Sequence, residues 1–155
     1  MQHLIQAIYA SSVTGGMHET ETLKLLKQAR TVNRKHDVSG MLLYIGGSLL
    51  QLLEGEEAMV EAVCSTIFRD RTRNELTAIL RESVVERQFS EWTMGFATVD
   101  PLEARHLLGD DSLFNSGSGA TCVTPGDAKT LFAIYGRRRY QSDRSGMYRA
   151  IGRCA

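Results

Sequence analysis

Hydrophobic and polar positions alternate between two periods along the first two-thirds of the chain. Residues 3–9, HLIQAIY, form a short apolar run that stops at SSVTGG, which predicts a strand and a polar break. Over 19–35 the period becomes that of a helix. Leu23, Leu26 and Arg30 share one stripe, with Leu25, Ala29 and Val32 beside it, and Lys24, Lys27 and Arg34 face outward. His18 or Thr20 would cap its start. VSGMLLYI at 38–45 is an apolar strand, Gly46-Gly47 a hairpin turn, and 48–54 the returning strand, which Gly55 is expected to end. EEAMVEAVCSTIFR at 56–69 predicts a second amphipathic helix, built on Met59, Val60, Val63 and Ile67, with Glu56-Glu57 suited to its N-terminus. Strands are predicted at 76–86 and 93–98, a short helix at 101–108, and a helix over 125–135 with Pro125 in its first turn.

The resulting order is β-α-β-β-α-β-β, an α+β, ferredoxin-like mixed sheet with two helices on one face and a C-terminal helical extension. The pattern divides near Asp100-Pro101 into residues 1–98, a compact domain, and 99–155, the extension. GDDSLFNSGSGAT reads as a loop between the last two helices. The uncovered sheet face should receive the segment 125–135, where Ala128, Leu131, Phe132 and Tyr135 form an apolar stripe. The arginines from Arg137 to Arg153 then make a basic tail, read as a solvated helix face or free end, or as a surface for an acidic partner.

Composition narrows the class. With 155 residues, 43% of them hydrophobic and 23% charged, the chain is expected to be one ordinary globular domain. Its formal net charge is zero, so nucleic acid is not an expected partner. No apolar run is long enough for a membrane span, and no signal peptide is visible. The three cysteines, Cys64, Cys122 and Cys154, are far apart and have no metal-ligand spacing, so a reducing cytoplasm is expected. There is no G-x-G-x-x-G, P-loop or H-E-x-x-H, and the four histidines have no companion motif, so no enzyme activity is expected.

What remains is a set of polar or unusual residues inside apolar segments. Gln51 interrupts the leucines of SLLQLLEG. An unpartnered carboxamide in a core costs roughly 1–3 kcal/mol. Alternation alone leaves its direction open: Leu49 and Leu53 share its face, Leu50 and Leu52 the other. Tyr9 ends the first strand. Asn33 lies late in the first helix, where an Asn is commonly a C-cap. Trp92 and Met94 open the last strand in WTMGF.

Together, Tyr9, Asn33, LLQLLEG and FSEWTMGF at 89–96 resemble the BLUF family, blue-light sensors using flavin, over about residues 2–98. ARTVNRKHDVSGMLLY resembles that family's junction between helix and strand. The resemblance implies that a flavin, FAD with FMN as the alternative, lies between the two helices. It implies that Tyr9 and Gln51 carry the photochemistry, with the Gln51 amide bridging the Tyr9 hydroxyl to the flavin edge and turning or tautomerising after electron transfer from Tyr9. Asn33 would bind a ring carbonyl and N3–H. Leu25, Leu42 and Leu49 would wall the ring, although core packing explains them equally well. Met94 or Trp92 would sit beside the ring and carry the signal out through the last strand. One departure stands out: where many members carry Asp-x-Arg-His, this chain has Asp70-Arg71-Thr72-Arg73. Arg71 or Arg73 would then take the phosphate-side contacts. Without a catalytic centre, the sensor is expected to act through an unidentified output protein and to form a homo-oligomer. The competing reading is a ferredoxin-like binding module without photochemistry, its Tyr9 and Gln51 a core hydrogen-bonded pair.

Overall fold

The computed structural model describes residues 3–12, 19–45, 47–70, 76–90, 92–108 and 124–145. Its elements are β1 (Leu4–Ser12), α1 (Glu19–Lys35), β2 (Ser39–Ile45), β3 (Ser48–Glu56), α2 (Glu57–Asp70), β4 (Leu76–Ser83), β5 (Gly95–Val99), α3 (Pro101–Leu108) and α4 (Pro125–Ser145). The strands form one mixed sheet in the order β4-β1-β3-β2-β5. β1 lies antiparallel to both β3 and β4, β2 is antiparallel to β3, and β5 joins β2 in parallel. This is the expected α+β arrangement.

The hairpin of β2 and β3 closes at the pair Ile45↔Ser48, and Gly47 takes φ +86°, a conformation glycine adopts without steric cost. Gly46 lies outside the described residues. β3 does not stop at Gly55. It continues to Glu56, with Gly55 opposite Ile5 and Glu56 opposite Leu4. A Cβ on Gly55 would come within 3.3 Å of the Asp37 carbonyl oxygen, so the missing side chain lets the strand pass closely beneath the end of α1. α2 follows without a loop, its first N–H (Glu57) bonded to the His3 carbonyl at 2.9 Å.

The sheet has an apolar layer on each face. On one, Ile5, Ala7, Tyr9, Leu42, Leu49, Leu53 and Phe96 pack against Leu26 of α1 and Val60, Val63 and Cys64 of α2. On the other, Ile8, Ala10, Met41, Leu43, Leu50 and Leu52 pack against Ala104 of α3 and Ala128, Leu131, Phe132 and Tyr135 of α4. The stripe expected at 125–135 therefore covers the second face, and α4 runs on to Ser145. The loop expected over residues 109–121 and the tail beyond Ser145 lie outside the described residues.

Contact between α4 and the sheet is close at Gly136. A Cβ there would lie 2.3 Å from Phe89 Cε1. Phe89 is buried and sits between α4 and the sheet, so it has little room to retreat. Gly136→Ala is expected to destabilise the fold by about 1–3 kcal/mol through overpacking. The urea midpoint measures this, and a midpoint equal to or above that of the wild type would refute it.

Candidate functional site

The register of the sheet places four side chains in a row across its helix-facing side. Tyr9 is paired with Gln51, Gln51 with Leu42, and Leu42 with Phe96. Gln51 is thus turned inward, toward α1 and α2, and is 8% exposed. Among the described residues its carboxamide makes no side-chain hydrogen bond. Leu49 and Leu42 lie on the same face, both buried, and Leu25 of α1 packs partly buried against this layer. Arg71 and Arg73 lie outside the described residues.

Asn33 is not a C-cap. α1 ends in a Schellman turn: the Val38 N–H reaches the Asn33 carbonyl at 2.8 Å, the Asp37 N–H points to the Arg34 carbonyl at 3.4 Å, and Asp37 takes the left-handed position with φ +53°. The side chain of Asn33 is therefore released to point inward. It is 1% exposed, donates from Nδ2 to the Thr93 carbonyl at 2.8 Å, and leaves Oδ1 buried with no hydrogen-bond partner among the described residues. An orphaned buried acceptor is costly in a core and invites a donor from a bound group.

Tyr9 carries a neighbour that its place in the sequence did not announce. The Cys64 thiol of α2 donates to the Tyr9 hydroxyl oxygen at 3.1 Å, both groups buried. Burial first, and then this contact, hold the Tyr9 hydroxyl well above the ordinary tyrosine range. Burial also pushes the Cys64 thiol up, while the contact with Tyr9 pulls it back in part. Both protons are thus retained in the folded chain at neutral pH. The consequence for stability has a definite sign. The unfolded chain releases these protons first, from about pH 9 for the thiol and pH 10 for the phenol, so stability from this pair is full below pH 9 and falls as pH rises above it. Urea midpoints at pH 8 and pH 10.5 should show the fall, and a Tyr9→Phe/Cys64→Ala protein should show a smaller one. An equal fall in both proteins would exclude the pair as its source.

Met94 and Trp92 are sorted to opposite faces. Met94 is 1% exposed in the layer beneath α1 and α2. Trp92 packs against the α4 layer and stacks on Phe89, ring centroids 5.8 Å apart. β5 begins only at Gly95, two residues later than the apolar pattern predicts. A further buried group is Glu54, fully enclosed on the α4 face, whose carboxylate accepts from Gln6 Nε2 at 3.0 Å and from the backbone N–H of Gln88 and Phe89 at 2.8 and 2.7 Å. Its place on the same strand face as Leu50 and Leu52 was the available signal.

The geometry defines a ferredoxin-like domain with an inward-facing Tyr–Gln pair, an unsatisfied inward amide oxygen and apolar neighbours under two helices. That donor and acceptor set fits a flat, uncharged heterocycle with N–H and carbonyl groups along one edge, as a flavin has. Residues 4–95 match the BLUF family, sensors of blue-light using FAD, and the chain belongs to that family. The domain over these residues is accordingly a flavin-based blue-light sensor. The dark-state structure of BlrB, a BLUF protein, is 26% identical, with TM-score 0.64, and the match covers 86% of this chain and 98% of BlrB. BlrP1 of Klebsiella pneumoniae, solved with FMN and cyclic diGMP, is 27% identical, with TM-score 0.55, over 61% of this chain and 26% of BlrP1. The ground state of BlsA shares the fold, with TM-score 0.67 at 20% identity, over 84% of this chain and 85% of BlsA. A photoactivated adenylate cyclase subunit beta-like protein of Euglena gracilis is 27% identical over 95 residues, 61% of this chain. The chain spans only 11% of that relative's length. No helix among the described residues is long and apolar enough to cross a membrane.

Proposed function

We propose that Tyr9 and Gln51 carry the photochemistry of this sensor and that residues 99–155 carry its output to a partner protein. The observation that supports the first part is the direct cross-strand pairing of Tyr9 with Gln51 on the face covered by α1 and α2, the helix α1 also carrying the buried Asn33 Oδ1. When bound, the flavin supplies the absorption of blue light and an electron-accepting excited state. Asn33 Oδ1 would accept from the ring edge, and Leu25, Leu42, Leu49 and Met94 would exclude water from the ring. Tyr9 holds its proton at the hydroxyl until it is oxidised, because burial disfavours the phenolate. Gln51 presents an acceptor oxygen and a donor nitrogen from one planar group, so rotation or tautomerisation of the amide exchanges the two roles without moving charge. Arg71 or Arg73 would take the phosphate-side contacts of FAD, with FMN as the alternative.

The output is a change of protein–protein contact, made in the cytoplasm by a homo-oligomer or with a separate partner; the chain is not itself an enzyme. The α4 layer supports this reading, because Trp92, Phe89 and Gly136 join β5 to α4 through close ring contacts. The test is an absorption spectrum of the purified protein in the dark and after blue light. A yellow protein with a small red shift that reverses in the dark is expected. A colourless protein from flavin-replete cells, or a yellow one without a reversible shift, overturns the reading. Truncation after Gly136 should change oligomeric state or partner binding, and unchanged values in dark and light remove the tail from the output.

A further inference from the structure

Three consecutive backbone carbonyls, those of Trp92, Thr93 and Met94, are each held by a separate donor. Gly40 N–H reaches the Trp92 carbonyl at 3.1 Å, Asn33 Nδ2 the Thr93 carbonyl at 2.8 Å, and Arg30 Nε the Met94 carbonyl at 2.9 Å. The segment so held is not regular strand. In an extended chain residues 92, 94 and 96 would face the same side of the sheet. Here Met94 and Phe96 face α1 and α2, and Trp92 faces α4. The backbone bends at Thr93 and Met94, and β5 starts after the bend. Gly95 makes the bend sterically open, because a Cβ there would lie 2.6 Å from Trp92 Cε3.

We propose that Arg30 is a positioning residue of the light response: by holding the Met94 carbonyl it fixes the bend that keeps Met94 on the cofactor face and Trp92 on the α4 face. Without that hold the backbone at Thr93 and Met94 loosens, and with it the seat of Trp92 against Phe89. Of the two side-chain donors, Asn33 belongs to the cofactor site, and Arg30 reaches this segment through its backbone. The helix spacing agrees with this role, since Leu26, Arg30 and Asn33 follow one another at i, i+4 and i+7 on the buried side of α1. A charged side chain on that stripe is explained by the carbonyl it reaches. The inference rests on the reading of the inward face as the flavin site.

The experiment compares wild type, Arg30→Met, which keeps an apolar stem without a donor, and Arg30→Lys, whose ammonium does not reproduce the planar Nε–H. In the protein as purified, kept in the dark, amide exchange over residues 94–97 should accelerate about tenfold in Arg30→Met and by a smaller factor in Arg30→Lys. Emission from Trp92, the only tryptophan, should shift in the same order. Wild-type exchange and emission in either folded variant would overturn the clamp; if Arg30→Met does not fold, Arg30→Lys alone decides. In flavin-loaded protein the dark recovery time of Arg30→Met should change by about fivefold or more while the red shift keeps its size. An unchanged recovery time would overturn the role in the light response. Because exchange and emission are read in the dark and need no photochemistry, a photoinactive wild type would remove the proposed function and leave the clamp separately measured.

Discussion

Tyr9→Phe and Gln51→Leu are each expected to keep flavin and to lose the light-induced red shift, an all-or-none change in signal. The two substitutions remove one polar group apiece from a face otherwise built of Leu42, Leu49, Leu53 and Phe96, so the apolar cradle survives. Losing one hydrogen-bonding group at the rim costs about 0.5–1.5 kcal/mol of binding, a factor of roughly ten at most. The photochemistry has no such reserve. Tyr9 offers an oxidisable ring and a proton, and Gln51 is its direct cross-strand partner. Phe lacks the hydroxyl, and Leu lacks both the acceptor and the donor. Flavin content and the dark-minus-light difference spectrum measure the outcome together. A Gln51→Leu protein with the wild-type shift would exclude the assigned role. A Tyr9→Phe protein that purifies colourless would move Tyr9 from photochemistry to binding.

Glu54→Ala should produce the largest loss of stability among single side-chain changes in the sheet, about 3 kcal/mol or more. The carboxylate is fully buried and receives three N–H groups, two of them backbone amides of Gln88 and Phe89. Hydrogen bonds to a charged group contribute about 1.5–3 kcal/mol, and donors left buried without an acceptor carry their own penalty of about 1–3 kcal/mol. Glu54→Gln keeps one acceptor oxygen but turns an amide donor toward donors, so a smaller loss is expected. The effect should reach the Phe89–Trp92 stack, because Glu54 fixes the backbone at Phe89. Equilibrium urea unfolding followed by Trp92 fluorescence gives both quantities. A midpoint for Glu54→Ala that implies less than about 1 kcal/mol of loss would show that water replaces the carboxylate without cost.

The apolar periodicity by itself determined the elements. The bounds of α1 and α3, the pairing of β2 with β3 across Gly46-Gly47, and the stripe of α4 were all legible, because each depends on contacts between residues near in sequence or on a repeat that a single face imposes. The polar interruptions at Tyr9, Asn33 and Gln51 were legible as exceptions to that repeat. Their direction was not. Gln51 faces inward because β1 and β2 flank β3 in a fixed register, and register is a property of three strands and not of one. Asn33 continues the buried stripe of Leu26 and Arg30, but whether it would cap α1 or reach inward was decided only when Asp37 took the left-handed position that ends the helix. Cys64 lay on the inward stripe of α2, but only the packing of α2 on β1 brought its thiol to Tyr9. Glu54 and Arg30 broke apolar stripes that were already visible; which carbonyls and amides they serve was decided by the chain between Gln88 and Met94 folding back across the sheet. The facing of Trp92 and Met94 was beyond the sequence for the same reason. Strand alternation gives both residues one side, and only a bend held by donors distant in the chain separates them.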